Sequence, residues 1–279
     1  MNAQSLRSAL QAAEAAARSA GALMQRNLHA AKRVNLATQH DIKLELDVRC
    51  QRLIEKALRQ ALPEAAFLGE EGTAEDRTTD LRWVVDPIDG TVNFAYGVPH
   101  ACVSIALQTR ARPGRRPDSA AYADGFETLL GVVFEPFTDE IWSAEATGPA
   151  RLNGRVIRVF PRKRLAESMV AMGFAKSGHT LDLMMPVFTH LVHRVRKIRI
   201  MGAAALSLTY VASGRFDAYL EYGVRLWDIA AAGLILQRAG GVFWRREVEA
   251  DRTYEIRVSA APLQRTIQHL HRTLGLTQP

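Results

Sequence analysis

Cysteine is scarce in this sequence, and the classes of protein that depend on it are not expected. The chain of 279 residues has two cysteines, Cys50 and Cys102, far apart along the sequence. The first 30 residues are rich in alanine but carry charges and show no signal peptide for secretion. We therefore expect a cytoplasmic protein with two reduced thiols rather than a disulfide scaffold.

Other absences exclude particular sites and architectures. The sequence contains no Cys-x-x-Cys pair, no His-Glu-x-x-His zinc helix, no Walker A loop and no Gly-x-Gly-x-x-Gly motif. No apolar run approaches the roughly 18 residues needed to cross a bilayer, so we expect no membrane partner. No internal repeat of fixed period is visible.

The composition is that of a globular chain with a basic balance. Hydrophobic residues make up 48% and charged residues 23%, which excludes a disordered or collagen-like protein. Lys and Arg total 36 against 29 Asp and Glu, a net charge of +7. The positive electrostatic field of such a chain suits an anionic ligand, but the net charge gives no information about the fold.

Helical and strand patterns alternate along the chain. The predicted helices span residues 3–30, 47–62, 181–196, 203–213, 229–239 and the segment from Pro262 onward. The predicted strands lie at 66–68, 81–85, 101–108, 129–134, 139–143, 168–172, 215–222 and 256–260. Asn153-Gly154 indicates a hairpin where the chain enters a second half. The mixture predicts packed α and β layers.

Three acidic clusters follow apolar runs or open a predicted helix. They are Glu70-Glu71, the block Asp86-Pro-Ile-Asp-Gly-Thr91, and Trp227-Asp228. Pro87 suits a turn and Gly90 permits a close approach of the backbone. A helical turn beginning near Gly90 would offer free amides to an anion. Carboxylates gathered beside it would suit Mg²⁺, which prefers oxygen ligands and substrate phosphates.

Each cluster also fits an ordinary structural role. Asp228 alone is typical of a helix N-cap, and Glu70-Glu71 of a solvated loop. Asp86 and Asp89 alone are typical of turn residues. On spacing alone, a metal site and these structural roles stay equally open.

The same residues carry a resemblance to a known family. Gly69-Glu70-Glu71-Gly72, the block from Trp83 to Phe94, and Trp227-Asp228 with Gly240-Gly241 resemble the inositol monophosphatase family of metal-dependent phosphatases. The order and separations match from about Asp41 to Pro262. The resemblance implies an α+β fold, a layered αβαβα sandwich of the inositol monophosphatase and fructose-1,6-bisphosphatase type. It also implies Mg²⁺-dependent hydrolysis of a small phosphate monoester without a phosphoenzyme.

The resemblance assigns roles to residues at matching positions. It implies that two or three Mg²⁺ ions are held by Glu70, Asp86, the carbonyl of Ile88, Asp89 and Asp228. Thr91 with Glu70 would orient the attacking water, with Asp47 supporting Glu70 from behind. The amides of Gly90 and Thr91 would bind phosphate. The residues expected to face the rest of the substrate are Gly202, Ala203, Ala204 and Glu221. His100, in contrast, is expected to be a packed histidine.

The sequence departs from the family pattern at positions that bear on the substrate. Lys43 and Glu45 stand where many members have small polar residues, and Ala203 stands where inositol-specific members often have Thr. Lys32-Arg33 stands for the basic segment that the family has near the first helix. The arginine-rich segment 110–125 predicts a long surface loop, and 245–255 lacks a Gly-rich loop. These departures leave the metal ligands untouched.

The expected function is therefore a phosphatase acting on inositol monophosphate or a similar polyol phosphate. Histidinol phosphate, fructose 1,6-bisphosphate and 3′-phosphoadenosine 5′-phosphate stay open as substrates, because a shared fold does not fix a substrate. We expect two halves, residues 1–148 with most metal ligands and residues 149–279 with Asp228 and the substrate-facing residues. A homodimer is expected from the apolar first helix and the resemblance.

A function of a different class also stays open. The chain could keep this fold and bind RNA or the transcription machinery, because clustered basic residues attract phosphate backbones. The residues that motivate this are Arg110, Arg112, Arg115, Arg116, Arg194, Arg196, Lys197 and Arg199. Aromatic residues are only 7% and do not interleave with the basic runs, so a stacking platform is poorly supported.

Overall fold

The computed structural model describes residues 1–32, 34–37, 42–72, 79–111, 121–174, 177–249 and 251–274. In these ranges the helices are α1 (Ala3–Asn27), α2 (Glu45–Ala61), α3 (Thr91–Ala95), α4 (Gly178–Val192), α5 (Ala204–Ala212), α6 (Leu226–Arg238) and α7 (Ala261–Thr273). The strands are β1 (Val34–Ala37), β2 (Ile42–Leu44), β3 (Ala66–Gly69), β4 (Leu81–Asp89), β5 (Cys102–Arg110), β6 (Phe126–Glu135), β7 (Glu140–Glu145), β8 (Arg151–Leu152), β9 (Arg155–Val156), β10 (Met169–Phe174), β11 (Lys197–Arg199), β12 (Ala218–Arg225), β13 (Gly241–Glu249) and β14 (Thr253–Ala260).

Two mixed sheets form the frame of the molecule. The larger sheet has the order β3-β4-β5-β6-β7-β8-β9, in which only the β3–β4 pair is parallel. The smaller sheet has the order β11-β10-β12-β14-β13, with β10 parallel to both of its neighbours. Strands β1 and β2 form a separate antiparallel pair.

The helices form three layers around these two sheets. Helices α1 and α2 bury their apolar faces against one side of the larger sheet. Helices α5 and α6 lie in the core between the sheets. Helices α4 and α7 cover the outer face of the smaller sheet. This order of layers is αβαβα, and it confirms the predicted fold.

Small side chains allow the first layer to pack closely. Helix α1 buries alanines along one face, and its Gly21 lies so near the sheet that an added Cβ would be 2.5 Å from the Phe134 ring. Asn2 begins the helix by accepting the Ser5 N–H at 2.8 Å. A larger side chain at Gly21 would push α1 away from β6 because packed interiors leave no room for it.

Most predicted elements are present, and the missed ones have identifiable reasons. The predicted helix 181–196 is α4, which begins earlier at Gly178 and ends at Val192. Its predicted tail instead leads into β11, an edge strand of three residues whose pattern is too short to recognise. Strand β13 was not predicted because charged residues mask its alternation.

Some predictions fall at the margin of the described residues. Strand β5 continues to Arg110, and Ala121 forms a bridge with Glu127, at the two ends of the predicted 110–125 loop. Residues 112–120, Arg33 and Asp41 lie outside the described residues. The proposed division at residues 148 and 149 stays a prediction; the larger sheet continues through β9 to Val156. No helix in the described ranges is long and apolar enough to span a membrane.

Candidate metal and phosphate site

The central acidic block lies where β4 breaks its pairing with β5. The register shifts between Asp86 and Asp89, and both side chains are buried. The Asp86 Oδ1 atom accepts the Ile88 N–H at 3.0 Å, across the proline that has no N–H of its own. This turn brings two carboxylates to one end of the strand.

Gly90 ends this turn and begins α3. Its φ of +91° lies in the left-handed region that favours glycine, and an added Cβ would be 3.0 Å from the His100 carbonyl oxygen. The Thr91 hydroxyl donates to the Ile88 carbonyl at 2.8 Å. The predicted helical turn is therefore present, with the predicted phosphate-binding residues at its start.

The Asp89 carboxylate is held mainly by helix α5. Its Oδ1 accepts the Ala204 N–H at 3.1 Å and its Oδ2 accepts the Ala205 N–H at 2.7 Å. The Cys102 thiol also donates to Oδ2, at 3.6 Å. Burial raises the pKa of Asp89 to about 6, and the two amides act against this rise.

Asp228 enters the same region from helix α6. It is the third residue of the helix, and its Oδ2 accepts the Arg225 N–H at 2.8 Å. Asp228 is thus not the N-cap itself but completes the capping at that end. Burial raises its pKa well above the usual range, and the charges of Asp89 and Glu70 add to the rise.

Glu70 lies at the end of β3, next to β4. Its N–H donates to the Val85 carbonyl at 3.1 Å. Burial raises the pKa of Asp86 well above its usual range, and the next causes in order are the charges of Glu70, Asp89 and Asp228. The four carboxylates from three segments of the chain therefore act on each other electrostatically.

The four carboxylates interact electrostatically, but their side chains are not arranged as a set of metal ligands. In the described part of the chain, no group of three or more His, Cys, Asp or Glu side chains is arranged to hold a metal ion as it stands. Charges act over longer distances than ligand bonds. Two of the carboxylates, Asp89 and Asp228, are turned toward backbone amides, although each carboxylate oxygen has a second lone pair. A set of acidic oxygens that is partly buried fits a hard cation that keeps waters and substrate oxygens in its shell.

Asp47 and Gln51 support this region from helix α2. The buried Asp47 accepts the Leu44 N–H at 2.7 Å and so fixes the start of the helix. Gln51, one turn later, accepts the Glu71 N–H at 3.0 Å and lies directly against Gly69. Gln51 was not predicted as a site residue, although its position on the buried face of α2 was a usable signal.

The residues expected to face the substrate come from the smaller sheet and α5. Glu221 on β12 lies across Gly173 of β10, where an added Cβ would be 2.3 Å from Glu221 Oε2. Burial and the charge of Asp89 raise the pKa of Glu221 to about 8. Gly202 has a φ of +72°, and Ala203 is the N-cap of α5. The structure therefore brings this group to the same end of α5 that contacts Asp89.

Two residues near the acidic block were not singled out from the sequence. Cys102 contacts Asp89, and Asn93 donates to the carbonyls of His100 and Met201. His100 itself is half-buried, contacts Tyr210 edge-on at 6.0 Å, and has a pKa lowered by burial. It is packed, as expected.

Comparison with known proteins places this arrangement in a family. The model of the inositol monophosphatase family matches residues 5–114 and 119–274. The chain belongs to the inositol monophosphatase family. Members of this family are phosphatases and are generally metal-dependent.

Relatives in the family carry two kinds of name. The chain is 38% identical to an inositol-1-monophosphatase of Rhizobium meliloti, over 77% of this chain and 76% of the relative. It is also 38% identical to the Nus factor SuhB of Pseudomonas aeruginosa, over 81% of each. The inositol monophosphatase structure from Anabaena has a TM-score of 0.77 at 29% identity, covering 97% of this chain and 96% of that one. The SuhB structure from Bartonella henselae has a TM-score of 0.82 at 28% identity, covering 93% and 96%.

Proposed function

We propose that this member of the inositol monophosphatase family hydrolyses inositol monophosphate or a similar polyol phosphate in a Mg²⁺-dependent reaction. The observation that carries the proposal is the group of Glu70, Asp86, Asp89 and Asp228, of which Asp86 and Asp89 are buried, beside the Gly90–Thr91 turn. Carboxylates gathered in a partly buried site favour bound cations, and a turn with a left-handed glycine permits a phosphate to approach the backbone.

The carboxylates supply the proposed metal ligands. Glu70, Asp86, Asp89, Asp228 and the Ile88 carbonyl would hold two or three Mg²⁺ ions. When bound, these ions would supply charge neutralisation for the phosphate and a lowered pKa for a bound water. The oxygen-only ligand set supports Mg²⁺ over softer metals.

The chain's own groups would bind the phosphate and orient the water. The amides of Gly90 and Thr91 would hold phosphate oxygens, with the hydrogen bond from Thr91 to Ile88 fixing the turn. Glu70 and the Thr91 hydroxyl would accept hydrogen bonds from the attacking water, so that it approaches in line with the leaving oxygen. Asp47 would act from a distance, because it fixes the start of α2 and thereby Gln51 and the 69–72 turn.

The alcohol part of the substrate would lie against α5 and β12. Glu221 would bind a hydroxyl group, and Gly202, Ala203 and Ala204 would offer backbone groups and a small surface. Ala203 offers no hydroxyl of its own, so selectivity among polyols would rest on the shape of this segment. Histidinol phosphate, fructose 1,6-bisphosphate and 3′-phosphoadenosine 5′-phosphate are the alternative substrates.

The experiment is phosphate release from these four substrates, with Mg²⁺ and with EDTA. Asp89→Asn keeps the size of the side chain and removes a charge from the proposed metal site. Mg²⁺-dependent release that Asp89→Asn abolishes supports the proposal, and the best substrate identifies the role. A folded protein that releases phosphate from none of them contradicts it.

The proposal extends to assembly, organisation and location. We expect a cytoplasmic homodimer. Within each subunit, we expect residues 1–148 and 149–279 to meet at the site, with Asp228 coming from the second of these halves. Sedimentation velocity at micromolar concentration would test the dimer, which a monomer across the accessible concentration range would contradict.

A second candidate function is binding to RNA or the transcription machinery. It is favoured by the relatives named as Nus factors and by the exposed basic residues of β11, Lys197 and Arg199, which continue the run from Arg194 and Arg196. Arg110 is at the end of β5, whereas Arg112, Arg115 and Arg116 lie outside the described residues. Retention of RNA at physiological salt would support this function, and no retention would exclude it.

A further inference from the structure

The Asn93 side chain joins two segments that are far apart in the sequence. Its Nδ2 atom donates to the His100 carbonyl at 3.0 Å and to the Met201 carbonyl at 2.8 Å, 108 residues away. The backbone carbonyl of Asn93 accepts the Val98 N–H at 2.9 Å, so the loop after α3 folds back onto the same residue. One N–H of this amide thus ties α3 to the segment that leads into α5, and the other ties α3 to the loop that precedes β5.

The residue after Met201 is shaped to fit this amide. Gly202 has a φ of +72°, and an added Cβ would be 3.2 Å from Asn93 Nδ2. A side chain there would press on the amide and would also need a backbone conformation that favours glycine. Met201 and Gly202, at the start of segment 201–204, therefore lie directly on Asn93.

Two further contacts join the same pair of segments. An added Cβ on Gly90 would be 3.2 Å from the Ala203 Cβ, and Asp89 accepts the Ala204 N–H. Both contacts involve residues proposed to bind phosphate or metal. The hydrogen bonds of the Asn93 side chain involve no residue that is proposed to bind phosphate or metal. Asn93 can therefore be substituted without removing such a ligand.

We propose that Asn93 is a positioning residue that fixes the separation between the phosphate-binding turn and segment 201–204. This separation sets the preference for polyol phosphates over phosphate monoesters with a minimal alcohol, and the inference rests on the proposed phosphatase function. A polyol phosphate must engage the Gly90–Thr91 turn and the 202–204 segment together. A displacement of about 1 Å between two such groups costs up to about 100-fold in rate.

The test is Asn93→Leu, which keeps the branching at Cγ, removes both N–H donors and introduces no net charge near the phosphate. The substrates are inositol 1-phosphate and methyl phosphate, and inorganic phosphate serves as a product inhibitor. We expect the KM for inositol 1-phosphate to rise about tenfold or more. We expect kcat/KM for methyl phosphate and the inhibition constant of phosphate to stay within about threefold of the wild type, because no ligand of the phosphate is removed.

Two further variants separate a local effect from a loss of folding. Gly202→Ala perturbs the same contact from the other side and should shift the substrate preference in the same direction. Gln11→Leu removes an exposed amide from α1 and should change neither substrate. Amide hydrogen exchange in residues 201–205 should be faster in Asn93→Leu than in the wild type, a readout that needs no turnover.

The outcomes are distinct. A selective rise in KM for inositol 1-phosphate supports the positioning role. Equal losses on both substrates would show that Asn93 only supports the fold, and unchanged kinetics would show no role; either overturns the inference. A wild type that releases phosphate neither from methyl phosphate nor from any of the four proposed substrates overturns the proposed function, and this inference with it.

Discussion

The carboxylate of Asp89 caps helix α5 by accepting the Ala205 N–H at 2.7 Å. The helix has no side-chain cap of its own, because Ala203 occupies the N-cap position. An acidic group at a helix N-terminus is stabilised by the free amides there. The orientation of a proposed metal ligand and the position of the substrate-facing segment are therefore set by one interaction.

Removing the charge of Asp228 should abolish activity without unfolding α6. In Asp228→Asn the remaining amide oxygen can still accept the Arg225 N–H, so the capping persists. We expect kcat/KM for inositol 1-phosphate to fall at least about 100-fold, equivalent to ~2.7 kcal/mol. Asp182→Asn, an exposed aspartate on α4, is the matched control and should retain full activity. Full activity in Asp228→Asn would exclude a role for its charge.

Asp86→Asn should raise the melting temperature of the metal-free protein. The substitution removes a buried carboxyl group whose ionisation is opposed by burial and by the charges of Glu70, Asp89 and Asp228, and an amide oxygen can still accept the Ile88 N–H. Mg²⁺ at 100 times its dissociation constant should stabilise the wild type by about 2.7 kcal/mol, and the variant much less. Differential scanning calorimetry with and without Mg²⁺ measures both effects. Asp139→Asn, at an exposed position, should show neither; an equal response to Mg²⁺ in Asp86→Asn would contradict the metal site.

Gly131 should tolerate no side chain, because helix α6 lies against it. An added Cβ would be 2.5 Å from the Ala231 carbonyl oxygen, a backbone atom that cannot rotate away. Gly131→Ala should destabilise the protein by about 1–3 kcal/mol and weaken Mg²⁺ binding by displacing the helix that carries Asp228. Gly148→Ala, whose nearest neighbour would be 3.8 Å away, is the control. Urea unfolding and Mg²⁺ titration should separate the two variants; indistinguishable curves would contradict this packing.

His271 should make the protein sensitive to acid. Its imidazole is buried, and burial together with Arg257 and Arg246 lowers its pKa to about 3, although Glu255 lies 3.7 Å away. The unfolded state binds a proton near pH 6.5 and the folded state does not. His271 therefore does not lower the free energy of unfolding above about pH 6.5. As the pH falls from there toward 3, the free energy of unfolding decreases by on the order of 1.4 kcal/mol per pH unit.

The measurement for His271 is the free energy of unfolding between pH 4 and pH 7. His271→Gln removes the titrating group, so its stability should depend less steeply on pH over this range. Identical slopes for wild type and variant would show that the histidine is protonated in the folded state. His269, which is exposed on α7, supplies a control through His269→Gln.

Local patterns predicted packed α and β layers and the acidic block, whereas the order αβαβα and the roles of the acidic residues were implied by the family resemblance. The apolar face of α2 and the Asp86–Thr91 block are contiguous, and their elements formed where expected. The short strands β1, β2 and β11 carry too few residues for a pattern to be recognised. The bonds of Asn93 and Gln51 span 108 and 20 residues, so they arise only once the sheets and helices pack.

The most direct test of the account is phosphate release from inositol 1-phosphate before chelation, after EDTA, and after Mg²⁺ is restored. The account predicts release by the wild type with Mg²⁺, none in EDTA, and full recovery, with Asp89→Asn inactive throughout. A folded wild type that keeps its rate in EDTA, or a variant as active as the wild type, would contradict the proposal that these carboxylates form a catalytic metal centre.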